Sequence, residues 1–293
     1  MNFISAVRTV SLTFTDWSWE NDIMIPLFAI TAVLAVLLVR ESRSRSAHPR
    51  DDAPPMWRTV LWTVLGVLFL YLPSQSPLDY AGDRYSLTFH MFQHIFFSDL
   101  AAPCFLFALR GSDLARSLRR SRIVLALETA LCNRWSAILL MGLAFFYWHF
   151  PGPFNLALEN DGIHFLEHTS FFAAGILMWW PLVHPLNAKG DIPLTDGRIL
   201  GNIAYVTLTC LPFTILGFII TMSPHVLYTF YLHQPLLFGM SHIVDQQVGG
   251  VVMLGFANLV GFGVVTYYFM QMSATEHDAP QEALEDTTAP AAS

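Results

Sequence analysis

The fold class predicted for this chain is all-α, a polytopic membrane protein built as a seven-transmembrane-helix bundle, and three observations predict it. Of 293 residues, 54% are hydrophobic and 13% charged, and the mean hydropathy is +0.47. Soluble domains are roughly a quarter charged, so a chain this apolar needs lipid as its solvent. Apolar runs recur at a length near the ~20 residues that a helix needs to cross the hydrocarbon. The basic residues gather in alternate loops, as the positive-inside rule requires of a multi-span chain.

The expected spans are Ile23–Val39, Trp57–Leu72, Leu87–Leu109, Ser136–Phe150, Gly162–Leu182, Leu200–Met222 and Val248–Met270. Each is bounded by proline, glycine or charge. The fourth is short unless it begins near Ile123, which would put Glu128 and Arg134 near its cytoplasmic end. No internal repeat is evident, and no long water-soluble domain fits between the spans, so residues 1–272 read as one transmembrane domain. Residues 273–293 are rich in Ala, Pro, Thr and acidic residues and read as a disordered acidic cytoplasmic tail.

Orientation follows from the cations. Arg40, Arg43, Arg45, Arg50 and Arg58 flank the first loop; Arg110, Arg116, Arg119, Arg120, Arg122 and Arg134 flank the third; Lys189 and Arg198 lie in the fifth. With seven spans these loops share one side, and only Arg8 and Arg84 of the fifteen basic residues fall on the other. The N-terminus is therefore expected outside and the C-terminus in the cytoplasm, with Trp17 and Trp19 at the outer interface. No cleavable signal peptide is evident. The net charge of −7 gives no reason to expect nucleic acid. Cys104, Cys132 and Cys210 show no CxxC spacing and offer no disulfide framework or thiolate site; Cys104 and Cys210 lie in apolar runs and read as small buried residues.

Eleven histidines are present. Threaded on this topology, His90, His94, His149, His164, His168, His225, His233 and His242 fall in the outer half, and His48, His184 and His277 on the cytoplasmic side. Residues four apart share a helical face. His90/His94 and His164/His168 therefore each present two imidazoles from one helix, and with His149 they form the candidate metal site. Ionisable groups inside spans are costly and point to function; the plain alternative is hydrogen bonding between helices. Imidazole suits copper, zinc, iron and nickel. Met91, Met222 and Met240 could add thioethers, and His with Met favours copper. Facing histidines could instead clamp a haem iron, but no WWD-type loop of the haem-handling kind is found; Trp179-Trp-Pro181 lies on the cytoplasmic side.

His164-Phe-Leu-Glu167-His168 also reads H-x-x-E-H, the inverted zinc-protease signature. A further carboxylate ligand from a nearby helix would be expected, and none is obvious in the sequence. Glu167 could equally orient an imidazole from outside the ligand set.

Three blocks carry a family resemblance. They are His90-Met-Phe-Gln-His94 followed by Asp99-Leu-Ala-Ala-Pro103; Trp148-His-Phe-Pro151 leading to Glu167-His168 and Trp179-Trp-Pro181; and Asp245-Gln-Gln-Val-Gly-Gly-Val-Val-Met253. In this order they resemble the caa3-type CtaG family of cytochrome c oxidase assembly factors, over about Trp17 to Met270. The chain departs from the family pattern at Cys104, where leucine or proline is usual, and after Met253, where tryptophan is usual. The resemblance implies a non-enzymatic assembly factor that supports maturation of the oxidase CuB centre, plausibly by supplying copper. It carries over His90, His94, His149, His168, Asp245 and Gln246; His164 joins them on helical spacing.

Copper is thus the expected ion, at a site of His90, His94, His149, His164 and His168, with Glu167, Met91, His242, Asp245 and Gln246 as auxiliary groups and no catalytic residue. The expected partners are the haem–copper oxidase subunit carrying CuB and the lipid bilayer, in a bacterial inner membrane; a homodimer stays open. The rival readings are a haem- or copper-translocating membrane protein and an intramembrane zinc metalloprotease.

Overall fold

A computed structural model describes residues 8–13, 15–17, 21–50, 53–186 and 195–288. Trp19 and Lys189 lie outside the described residues. The architecture is helical. α1 (Asn21–Ala47) and α2 (Met56–Gln75) are followed by the short α3 (Pro77–Arg84). α4 (Leu87–Ile95), a π-helical turn (Phe96–Ala101) and α5 (Ala102–Leu109) run on as one rod. Next come α6 (Asp113–Arg119), α7 (Arg122–Leu131), α8 (Arg134–His149), α9 (Pro151–Glu159) and α10 (Asp161–Val183). α11 (Asp196–Met222), α12 (Thr229–Leu232) and α13 (His242–Thr288) complete the chain. One element was not expected: a two-residue parallel pair between β1 (Thr9–Val10) and β2 (Leu236–Leu237).

Among the described residues, five helices are long and apolar enough to cross a membrane: Ile25–Ala47, Met56–Gln75, Leu87–Leu109, Asp196–Met222 and His242–Ser273. The sequence predicts seven, and the difference has physical causes. The expected fourth span is only the 16 residues of α8. Together with α7 it would suffice, but the two are bent by 70° at their junction. There Asn133 caps α8 by accepting from the Ser136 N–H at 3.0 Å. The expected fifth, α10, has 23 residues but carries Asp161, His164, Glu167 and His168. The last helix continues to Thr288, past the boundary expected at 272, and residues 289–293 lie outside the described residues.

The π-helical turn begins two residues beyond His94 and has a local cause. Pro103 has no N–H to give the Asp99 carbonyl, and its ring crowds that carbonyl. The backbone widens instead, with the Ala102 N–H donating to Phe97 O. α10 meets the widened turn at Gly175, where a Cβ would stand 2.5 Å from Ser98 O. No side chain fits there, so the glycine sets the close approach of α10 to the rod that carries His90 and His94.

The loops at one end are tied together through charge. Glu41 receives the Arg45 Nε at 2.7 Å, the Arg50 guanidinium at 3.3 Å and the Asp113 N–H at 2.7 Å. Arg50 also pairs with Asp113 at 3.3 Å. His184, just past α10, is held below the ordinary imidazole range first by burial and then by Arg110, Arg198 and Arg134. Basic residues of the first, third and fifth loops therefore gather at the end of the bundle away from the histidine pairs. The main apolar core, which includes Leu87, Met91, Phe145, Phe154 and Phe171, lies between α4, α8, α9, α10, α11 and α13.

Candidate metal centre

Four helix segments bring the site together. α4 contributes His90, Met91, Gln93 and His94; α8 ends on His149; α10 contributes His164, Glu167 and His168; and α3 contributes Asp83. α10 begins at a defined point because the Asn160 side chain accepts from the Ile163 N–H at 3.1 Å. Its first two turns therefore carry the polar residues. α4 is started by Ser86, whose hydroxyl accepts from Phe89 N–H at 3.5 Å.

His90, His164, Glu167 and His168 each offer one donor atom, and these four atoms all lie within 4.8 Å of one another. The Glu167 carboxylate reaches toward both α4 imidazoles, with His90 Nε2 at 3.7 Å and His94 Nε2 at 3.5 Å. Phenyl rings wall the cluster. Phe171 stacks on His94 with centroids 4.1 Å apart, Phe154 meets the edge of His90 at 4.9 Å, and Phe97 tilts against His168 at 4.8 Å. Glu167 and His90 are fully buried.

Burial on this scale demands partners. An unsatisfied buried polar group costs roughly 1–3 kcal/mol, and more if charged. Among the described residues, both ring nitrogens of His90 and His94, His168 Nε2 and both Glu167 oxygens have no hydrogen-bond partner. Three imidazoles and a carboxylate gathered this closely form a donor set of a kind that suits a divalent or monovalent transition metal, and small side-chain rotations would draw them in to metal-bond distance. The residues present therefore fit an ion, and an ion would satisfy the atoms that the protein leaves unmet.

His149 lies at the edge of this group. Its ring centroid is 5.4 Å from that of His94, its Nδ1 donates to the Phe145 carbonyl at 2.8 Å, and its Nε2 faces Met91 Sδ at 3.4 Å. Of the five expected histidines, then, His90, His164 and His168 cluster with Glu167, while His94 and His149 flank the group.

The auxiliary residues divide. Glu167 stands inside the donor set rather than behind it. Asp245 and Gln246 stand apart from the cluster and hold backbone. Asp245 receives the Ser86 hydroxyl and the Leu87 N–H, both at 2.6 Å, which pins the start of α4. Gln246 accepts from the Leu227 N–H at 2.6 Å and donates to the His225 carbonyl at 3.1 Å, which orders the α11–α12 loop. His242 opens α13 half-buried and does not join the donor group.

The structure adds groups that sequence reasoning missed. Asp83 lies 3.6 Å from His164 Nε2. Gln93 donates to Asp83 at 2.9 Å, Asp79 at 3.1 Å and the Pro73 carbonyl at 3.1 Å, locking α3 and α2 onto α4. The one available signal was Gln93 itself, an amide inside an apolar run. Tyr228 donates its hydroxyl to the His149 carbonyl at 3.1 Å, and Tyr231 to the Gly82 carbonyl at 2.6 Å, so the loop after α11 closes over the site.

No curated protein and no solved structure matches the chain. The profile of the family described as Cytochrome c oxidase caa3 assembly factor (Caa3_CtaG) matches residues 33–275, which takes in every residue of the donor cluster and the α13 residues that brace it. With its apolar helices, its His-Met-Phe-Gln-His helix packed on the Glu167-His168 helix, and a match over most of its length, this chain belongs to the CtaG family of cytochrome c oxidase caa3 assembly factors.

Proposed function

We propose that this protein binds copper at the His90–His164–Glu167–His168 cluster and supports maturation of the CuB centre of a haem–copper oxidase. The observation that carries the reading is the set of four donor residues, three buried and His168 half-buried, whose ligand atoms lie within 4.8 Å of one another. The family supplies the cellular task, assembly of cytochrome c oxidase. Imidazole nitrogen is a good copper donor.

In this reading the chain crosses a bacterial inner membrane seven times. The five apolar helices are joined by the α7–α8 pair and by α10, whose low hydropathy reflects the donors it carries. The cation-rich loops face the cytoplasm and the histidines face outward. The protein acts by ligand exchange and not as an enzyme. Copper enters from the outer side, is held by neutral imidazoles beside one carboxylate, and passes to the oxidase subunit carrying CuB. The fully buried Glu167 serves as a donor, which disfavours the zinc-protease reading even though Asp83 offers the carboxylate that chemistry would want.

The test is oxidase assembly in cells carrying His94→Ala or His168→Ala. Each variant should accumulate normally and lose oxidase activity, and added copper should partly restore it by mass action. Full oxidase activity in both variants at low copper would end the copper-delivery reading.

A further inference from the structure

The Phe145 carbonyl can only accept a hydrogen bond, and it lies 2.8 Å from His149 Nδ1. In the neutral ring the proton therefore sits on Nδ1, and Nε2 presents a lone pair. That lone pair points at Met91 Sδ, 3.4 Å away. A thioether has no proton to give. Two electron-pair donors thus face each other with nothing between them to share, and both residues are almost fully buried, at 3% and 1% exposure. Beside them stands His94, with two ring nitrogens that lack hydrogen-bond partners.

We propose that Met91, His149 and His94 form a second copper position, selective for Cu(I), next to the carboxylate-containing cluster that His94 flanks. The proposal deepens the copper reading and rests on it. The two positions differ in hardness. Around Glu167 the donors are imidazole and carboxylate; around Met91 they are imidazole and thioether, all neutral, which suits a soft monovalent ion. The geometry agrees. With bonds of about 2.0 Å to nitrogen and about 2.3 Å to sulfur, the 3.4 Å separation corresponds to an angle of about 104° at the ion, close to tetrahedral.

His94 is placed to serve both positions. Its Nε2 is 3.5 Å from a Glu167 oxygen, and its ring centroid is 4.5 Å from that of His90 and 5.4 Å from those of His168 and His149. An ion leaving the cluster would form a bond to His94 and then to Met91 and His149, as its bonds to Glu167 and to the His90, His164 and His168 imidazoles break in turn. Copper is Cu(I) before and after, so no electron is exchanged, and no proton moves. One ligand is swapped at a time, so the ion is never left bare in an apolar interior.

The test is anaerobic Cu(I) titration of the purified full-length protein in detergent, against a chromogenic Cu(I) chelator, with X-ray absorption at the copper edge. Wild type should bind two equivalents and show a copper–sulfur shell. Met91→Leu, which conserves side-chain volume, should lose one equivalent and the sulfur shell and keep the other equivalent. Glu167→Gln should keep the sulfur shell. One equivalent in wild type, with nitrogen and oxygen scatterers only and no change in Met91→Leu, would overturn the second position and leave the first standing. Loss of the sulfur shell in Glu167→Gln would also overturn it, by showing a single mixed site. No copper bound by wild type would overturn both readings.

Discussion

The Asp245 carboxylate of α13 receives the Ser86 hydroxyl at 2.6 Å, 159 residues away in sequence, and so clamps the start of the helix that presents His90 and His94. The same carboxylate takes the Leu87 N–H at 2.6 Å, and the Thr88 hydroxyl donates to the Asp245 carbonyl at 2.9 Å. Free N–H groups at a helix start need such acceptors. In Asp245→Ala, the Ser86 hydroxyl and Leu87 N–H are left buried without this acceptor, which should cost about 2–4 kcal/mol. A thermal melt in detergent should show the drop, and copper affinity should fall although no ligand has been touched. Unchanged affinity would mean that α4 keeps its position without this clamp.

Glu167→Gln separates stability from binding. The Glu167 carboxylate is fully buried, with no hydrogen bond to either oxygen among the described residues, a costly placement for a charge-bearing group. Removing it should leave the metal-free melting temperature equal or higher. The rise in melting temperature on adding copper should shrink, with affinity lower by at least about tenfold, the scale seen when groups that tune a metal site are lost. A lower metal-free melting temperature with an undiminished copper response would assign Glu167 a purely structural part.

Gly175→Ala probes the contact that brings α10 to the π-helical turn. The new Cβ would meet Ser98 O at 2.5 Å and Ser98 Cα at 2.6 Å, both backbone atoms that cannot swing aside. Overpacking of this kind costs about 1–3 kcal/mol. The variant should melt lower, and its copper affinity should fall because His164, Glu167 and His168 move away from His90 and His94. Gly152→Ala, where no atom lies within 4 Å of the added carbon, is the control and should match wild type.

Topology is tested by truncation fusions. A reporter after Arg122 should read cytoplasmic and one within 74–83 should read external, since Arg8 and Arg84 are the only basic residues assigned to the outer side. The opposite pattern would turn the histidine cluster toward the cytoplasm and exclude delivery of copper from outside.

Much of the fold was legible because its signals are local. Apolar runs near 20 residues marked Leu87–Leu109 as one span, and the structure keeps it continuous through the π-helical turn. Spacing of four put His90 with His94 and His164 with His168, since that period belongs to the helix itself. The 70° bend before α8 was less legible, because it depends on how Asn133 and the flanking turns pack rather than on hydropathy.

The sequence by itself determined which residues are candidates for the chemistry: the histidine pairs, His149, the Glu167 that travels with His168, and Met91 beside His90. Only the tertiary structure decided how they divide. Glu167 reads as a helper in sequence because nothing local says which side chain points between two helices; packing of α10 on α4 through Gly175 puts it among the donors. Asp83 and Gln93 gained their places because α3 folds back onto α4. Asp245 enters as an auxiliary site residue because the family resemblance carries it over, and in the structure it caps the start of another helix. His149 turns toward Met91 because the Phe145 carbonyl holds its other nitrogen. Helical periodicity is a property of neighbours along the chain, whereas a donor set is a convergence of side chains from distant helices, and only packing creates that.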